Sequence, residues 1–589
     1  MRTQSATTTI TRAVTVAAGV FAPGHLGELT QYLPFELVDD VLEQTKTVQR
    51  RLRDLPSRVG VYYLLALGMY PRLGYARVWA KLTAGLQGLP VARPSEKALR
   101  DLRRRLGPAP VKALFEVMAG PLAQPGTPGV RFGGLRTVAF DGCNSLKVPD
   151  TRGNRWWLGR IRYRMGFAGY PTLRLMALAE TGTRGLLGAA LGSAADRDEA
   201  TVARRLLHLL GPGMLILLDR AFDGNAFLGE VAATGALLVA RAKSTRHPIV
   251  LGHLPDGSYL SCLSGLAVRI IEASVLVTGA DGSEVRGSYR LITTLLDHRR
   301  FPAAAVVRLY HERWEIESAY FALRHTLLEG RVLRSGDRPG LEQEMWALLT
   351  LYQLLRMAMV TAIETRPGTD PDRASFTTAM ETAKDQLTNA AGIYPDGPAD
   401  LTGVIGRAVL ATLLPARRPR FSARKVKCAT SRYLNRDDGR PPHPAAITAI
   451  DITISTPPLD LKPGRTRRDR TTPVPPRPPT RQARVTAIWS TPGLVETRFS
   501  PDALVWVAVV FHVTAAWRNH GLIIFRFLFY RTSVQLRCPA APPGGGLRPP
   551  GRPRGLGHLL VGHLLCAAGS PGWSRVTLQR HRLRRRRRP

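Results

Sequence analysis

The period of the hydrophobic positions changes several times along this chain, and each change marks a boundary. Between residues 23 and 121 apolar residues recur at helical spacing. Leu33, Leu37, Val41 and Leu42 form one stripe, and Tyr62, Leu65, Leu67 and Met69 in part another. From residue 131 the pattern shortens into strand-like runs: VRFGGLRTVAFDG, WWLGRIRYRMGFAGY and TLRLMALAETG. A helical stretch, DEATVARRLLHLL, follows, then a strand, MLILLD. A helix, AFDGNAFLGEVAATG, comes next. Further strands, ALLVARAK, VRIIEASVLVTG and YRLITTLL, fill the region to about residue 300. The pattern then returns to helix over 301–362 and again over 370–415. Strands first, then helix and strand, predict an α/β fold around a covered sheet.

Two apolar runs end in acids. RTVAFD closes on Asp141, and MLILLD closes on Asp219. Short continuous apolar runs are typical of strands buried on both faces, and open α/β sheets place their ligands at strand carboxyl ends. A single such Asp is as readily a turn residue. A third acid lies in YHERWEIESAYFALR, residues 310–324. At about 100° per residue, Tyr310, Arg313, Glu317 and Arg324 fall within roughly 60° of one another on a helix. One acid beside two cations and a phenol suits a metal-bound phosphate ester. An amphipathic helix with ion pairs at i,i+4 gives the same spacing. Three converging carboxylates repel one another without cations, and an all-oxygen set favours Mg²⁺ or Mn²⁺.

With these residues in view, the chain resembles the DDE transposases of the insertion-element-4 type. The matching segments are TVAFDG, LLDRAF and the Tyr-Arg-Glu-Lys signature at YHERWEIESAYFALR. In the N-terminal part they are PGHLGELTQYLPFELVDDVLEQ and GYARVWAKLTAGL. The similarity runs from about residue 22 to about 455. It implies a ribonuclease-H-like catalytic core over 131–362, with a β-rich insertion at about 235–300. A helical DNA-binding domain over 23–121 would precede this core, and a helical extension over 363–455 would follow. Asp141, Asp219 and Glu317 would be the catalytic acids holding two Mg²⁺ or Mn²⁺ ions. Tyr310, Arg313 and Arg324 would contact transposon-end DNA. Arg324 stands where the signature has lysine, which keeps the charge but changes a point ammonium into a planar fork. The implied activity is DNA cleavage and strand transfer in cut-and-paste transposition. The partners would be terminal inverted repeats and target DNA, bound by a homodimer on paired ends. Two other readings stay open: a degenerate, catalytically dead DNA-binding remnant, and a ribonuclease-H-like nuclease that cuts without joining.

Charge fits a polyanionic partner. The chain has 589 residues and a formal net charge of +39. About half of that excess lies from Gly464 onward, where 23 basic residues face 3 acids. Residues 1–22 read as a disordered leader. Residues 456–589 read as a disordered, Pro- and Arg-rich tail, serving as a nonspecific DNA-binding segment or arising by read-through. Basic clusters elsewhere have two readings. RDLRRRLG at 100–107 either faces DNA or is a solvated face, and Lys243 and Arg246 are further candidates for DNA contact. Five cysteines at 143, 262, 428, 538 and 566 show no zinc spacing and fit a reducing cytoplasm. No signal peptide or membrane helix is expected. The best apolar run is 503–517, so the expectation is a cytoplasmic, nucleoid-associated protein.

Overall fold

The computed structural model describes residues 22–458 except 52, 161, 164–165, 313–316, 394–401, 416–419, 422–424, 428–432 and 436–444. The expected leader and almost all of the tail lie outside the described residues.

The sheet explains why the apolar runs are continuous. Its central strands are β1 (Leu135–Lys147), β2 (Thr172–Glu180), β3 (Leu186–Gly192), β4 (Met214–Leu218) and β5 (Leu237–Arg241). Beyond them lie β6 (Tyr259–Leu263), β7 (Leu266–Gly279), β8 (Glu284–Thr293) and β9 (Ala445–Ser455). The order across the sheet is β9-β7-β8-β5-β4-β1-β2-β3, with β6 paired to β7. β1, β4 and β5 are parallel; β2 runs antiparallel to β1, and β3 antiparallel to β2. Both faces are covered. Val138, Phe140, Ile216 and Leu218 pack on one side, while Ala139, Leu215 and Leu217 pack on the other. Alternate residues of one strand therefore meet two different cores, and none needs to be polar.

Helices supply the covers. The N-terminal set is α1 (Phe35–Gln44), α2 (Ser57–Met69), α3 (Tyr75–Thr83), α4 (Glu96–Leu106) and α5 (Ala109–Met118). Short helices α6 (Arg152–Leu158) and α7 (Glu199–Ala203) border the sheet, and α8 (Asn225–Ala233) follows β4. Then come α9 (Ala303–Glu312), α10 (Glu317–Phe321), α11 (Arg338–Glu364), α12 (Phe376–Thr388) and α13 (Gly403–Ala411). α11 is 27 residues long and apolar enough to cross a membrane by length and composition, yet 89% of its apolar window is buried inside the protein. A helix apolar on all sides is a core helix when other elements surround it. It is tied down by polar contacts: Gln353 receives the Leu186 N–H at 2.8 Å, and Tyr352 donates to the Arg184 carbonyl at 2.9 Å.

Four expectations need correction. WWLGRIRYRMGFAGY is not a long strand. Trp156 and Trp157 lie in α6, which Thr151 caps by accepting the Asn154 N–H. The Gly- and Ala-rich β3 lacks the β-branched signal of a strand and had not been expected. The segment 363–455 is helical only in its first part; its end is β9, where Ile450, Ile452 and Ile454 alternate with polar residues and pack toward the sheet's core. Finally, the N-terminal helices do not form a separate core. Leu26, Tyr62, Leu102 and Phe115 share one hydrophobic cluster with Leu348, Leu355, Met380 and Val409. Arg103 illustrates the consequence. It is buried, bonding Gln343 at 3.0 Å and Ser335 at 3.1 Å, so it serves α4–α11 packing rather than DNA.

Candidate active site

The site is set by strand register. In the parallel pair β1–β4, Ala139 stands opposite Leu217. Two residues further along each strand are Asp141 and Asp219. They stand at the same height on neighbouring strands about 4.8 Å apart; Asp219 follows the end of β4, whereas β1, expected to end at Asp141, continues to Lys147 along β2. Each carboxylate is held locally. Asp141 Oδ1 accepts its neighbour Gly142 N–H at 3.0 Å, and Asp219 Oδ1 accepts the Ala221 N–H at 2.5 Å as the cap of a short 3₁₀ turn.

The loop after Asp219 is pinned from below. Phe222 is buried against Phe140 and Phe227, with ring centroids 6.0 and 5.4 Å away. Asp223 accepts the Lys243 N–H at 2.7 Å and pairs with Arg246 at 2.6 Å. Arg246 also bonds Asn225 at 2.8 Å. The Arg246 guanidinium is thus engaged in shaping the Asp219 loop, while the Lys243 side chain is exposed.

Two tyrosines of the 310–324 segment fix the acid-bearing stretches. Tyr310 donates its hydroxyl to the Leu218 carbonyl at 3.0 Å, one residue before Asp219. Tyr320 donates to the carbonyl of Asp141 itself. Burial first, and the nearby Asp141 charge second, raise the Tyr320 phenol well above its ordinary range, so it remains an O–H donor. Glu317 is the first residue of α10, three positions before Tyr320. Its side chain, and Arg313 altogether, lie outside the described residues. After α10 the chain forms a π-helical stretch, Ala322–Leu327, which departs from the uniform 100° step used to place Arg324. Arg324 nonetheless reaches the site's edge, donating to Ser145 Oγ at 2.6 Å.

Tyr310 departs from its expected role. It is 4% exposed, within the cluster that includes Val306 and Leu217, and its ring meets Tyr289 edge-on at 5.8 Å. A phenol so placed does not face DNA.

An acid not singled out from sequence also borders the site. Glu199 opens α7, half-buried, and accepts Asn144 Nδ2–H at 2.8 Å. Burial first, and then the charge of Asp219, push its carboxyl above the usual range; the Asn144 bond and Arg174 act the other way. Among the described residues no three acids are drawn together into a closed metal cage. The donors present are carboxylate oxygens, a set that suits a hard divalent cation.

Comparison with known proteins identifies the family. Residues 23–116 match the model for the insertion element 4 transposase N-terminal region, and residues 134–354 match the transposase DDE domain. A curated relative, transposase InsG for insertion sequence element IS4 from Escherichia coli (strain K12), is 27% identical over 418 residues. That match covers 68% of this chain and 92% of the relative.

The chain belongs to the DDE transposases of the insertion-element-4 type.

It is therefore a DNA transposase, and its DDE domain implies dependence on a divalent metal and binding of DNA ends. The mixed α/β architecture fits that family. Among solved structures, a piggyBac transposase synaptic complex with hairpin DNA matches 69% of this transposase and 87% of its own chain at 9% identity, with a TM-score of 0.35. Sequence reading missed Glu199, Asn144 and Tyr320 in this transposase. For Tyr320 the signal was available, since it lies within the signature segment. For Glu199 it was not: an acid beside Asp198 at a helix start reads as a capping residue. Cys143 is 3% exposed and its thiol lies 3.5 Å from Ser145 Oγ, in keeping with a packed strand residue.

Proposed function

We propose that this transposase cleaves and joins DNA by metal-dependent phosphoryl transfer at the ends of its element, on a ribonuclease-H-like core. The observation that carries the reading is the register of two adjacent parallel strands, which sets Asp141, within β1, level with Asp219, just past the end of β4. The strand order β3-β2-β1-β4-β5, with the first three antiparallel and the last two parallel to β1, is the arrangement such a core requires.

Asp141, Asp219 and Glu317 would hold two Mg²⁺ or Mn²⁺ ions. When bound, these ions activate the attacking oxygen and stabilise the leaving one. The chain's own groups do the rest. Tyr310 and Tyr320 keep the two aspartate-bearing stretches in register, through the Leu218 and Asp141 carbonyls. Arg324, at the rim, meets a phosphate oxygen of the DNA backbone, and Arg313 does the same. Two copies of the chain act on paired ends, and the strands of the 235–300 region shape the DNA near the cut.

The test is product analysis. Full-length protein, Mg²⁺ and a labelled DNA carrying the inverted repeat that borders the gene are incubated with a second, unlabelled DNA. Metal-dependent cleavage together with joined product is expected. Cleavage without joining would replace this reading with a nuclease, and binding without cleavage would replace it with a dead remnant.

A further inference from the structure

Past Arg324 the positive charge continues into an open groove of about 630 Å³. Arg72, Lys147, Arg331 and Arg334 border it, together with the exposed ring of Tyr170, and none of the residues bordering it is an acid. Lys147 and Arg331 are exposed, and among the described residues neither makes an ion pair. Glu329, just outside the groove, is already taken by Arg72. A solvated charged face looks different: on α4 and α5 each lysine has its acid one turn away, Lys97 with Asp101 and Lys112 with Glu116.

Two distant parts of the chain build the groove. The 324–334 segment runs beside the far half of β1: Arg324 donates to Ser145 Oγ at 2.6 Å, and the Leu333 N–H donates to the Lys147 carbonyl at 2.9 Å. Between them Glu329 and Gly330 take left-handed backbone, with φ of 48° and 70°, and turn the chain so that Arg331 borders the groove. The other wall is the turn between α2 and α3, which carries Arg72. Arg334 ties the walls together by donating to the Tyr70 and Leu73 carbonyls, each at 2.6 Å. Lys147 follows Asp141 on β1 by six residues, one of them taken up by a bulge between Cys143 and Leu146. Five strand steps place Lys147 about 17 Å from Asp141.

From this we infer that the groove holds the sugar–phosphate backbone of the DNA duplex being cut, about half a helical turn from the cleaved phosphate. The inference rests on the proposed role of Asp141 and Asp219, which fixes where the cut lies. Half a turn of B-form DNA is about 17 Å, the span from Asp141 to Lys147. Cations gathered without an acid repel one another, and a row of phosphates relieves that repulsion while releasing its own counterions. Arginine, lysine and a phenol, with no amide or carboxylate side chain beside them, suit phosphate contacts that set position rather than base contacts that read sequence. The N-terminal region thus meets DNA through the α2–α3 turn, at Arg72, whereas Arg103 of its most basic run is buried.

The experiment is phosphate interference. Full-length protein binds a labelled DNA carrying the inverted repeat that borders the gene, without divalent metal so that the DNA stays intact. Neutral methylphosphonate replaces, one at a time, each phosphate within a turn of the repeat's end, where the cut is expected. Wild type should lose at least about threefold in affinity at one or two positions near half a turn. In the double variant Lys147→Ala, Arg331→Ala, checked for native circular dichroism, that loss should vanish. Its slope of log K against log salt should fall by about 1.8, two phosphate contacts at about 0.9 each. Its affinity for an unrelated duplex should fall by the same factor as for the repeat, as expected of phosphate contacts. An interference pattern kept in the double variant, an unchanged salt slope, or no interference within the turn in wild type would overturn the inference. Cleavage of the same DNA on adding Mg²⁺ is scored separately. Its absence in wild type would overturn the proposed function, and interference that disappears in the double variant would still place DNA in the groove.

Discussion

Tyr310 donates its hydroxyl to the carbonyl of Leu218 at 3.0 Å, which places the first residue of the family signature behind Asp219, one of the proposed metal-holding acids, in the protein's interior. Its ring is buried and its hydrogen bond spans 92 residues of sequence. Tyr310→Phe removes that bond and leaves a buried carbonyl short of a partner, a cost of about 1–3 kcal/mol in stability. The expected functional signature is a several-fold slower cleavage with unchanged affinity for DNA ends. Gel-shift titration beside single-turnover cleavage checks it; a large loss of end affinity with normal cleavage would return Tyr310 to the DNA interface.

Gly142→Ala tests the crowding around Asp141. The added methyl meets Glu199 Oε1 at 2.8 Å and the Met176 methyl at 3.3 Å, so the Glu199 side chain has to turn away. A loss of cleavage of more than about tenfold is expected, with a change in unfolding free energy near 1–3 kcal/mol as for other overpacked sites. Cleavage kinetics and urea unfolding of the same preparation separate the two.

Much of this arrangement was legible in the sequence, and the exceptions have physical causes. Asp141 and Asp219 were visible because strands covered on both faces need no polar residue until they emerge, so an acid after such a run stands out. β3 was invisible because LLGAALG carries no β-branched residues. It is held by its antiparallel pairing with β2, and Gly188 leaves room for Leu209, whose side chain a Cβ there would approach within 2.3 Å. The position of Tyr310 was misjudged because helical angles report which residues share a face, not which face is buried. Glu199 was lost among capping acids because its partners, Asn144 and Asp219, lie 55 and 20 positions away.

Arg324 offers a test of the lysine-to-arginine departure. Its guanidinium reaches Ser145 at 2.6 Å, four residues past Asp141. Arg324→Lys keeps the charge and should retain cleavage within a few-fold. Arg324→Ala should weaken end binding and lower the slope of log K against log salt by about 0.9, the value for one phosphate contact. Fluorescence anisotropy across a salt series reads this directly; an unchanged slope would remove Arg324 from the DNA contact set.

His25 makes stability depend on acid. It is buried; its Nε2 lies 3.0 Å from the Leu82 carbonyl, and the Gly27 N–H points at Nδ1 from 3.2 Å. The neutral Nε2–H tautomer satisfies both, whereas a proton on Nδ1 would oppose the Gly27 donor. Burial lowers the ring's pKa to about 4, with the Leu82 bond acting the other way. The unfolded chain takes up the proton first. The contribution is therefore complete above about pH 6.5 and is lost as pH falls from there toward 4, on the order of 3 kcal/mol. His25→Gln should be less stable at pH 7.5 and show a shallower decline to pH 5, measured by urea midpoints. An equal decline in both proteins would contradict the assignment.

The most direct test of the central claim is single-turnover DNA cleavage in Mg²⁺ by full-length protein and its Asp141→Asn, Asp219→Asn and Glu317→Gln forms, alongside their affinities for the same DNA end. The account predicts that each amide form loses cleavage by several orders of magnitude while end affinity stays within a few-fold. Substantial Mg²⁺-dependent cleavage in any one of the three would contradict that residue's place in the metal site, and its retention in both aspartate variants would contradict the account as a whole.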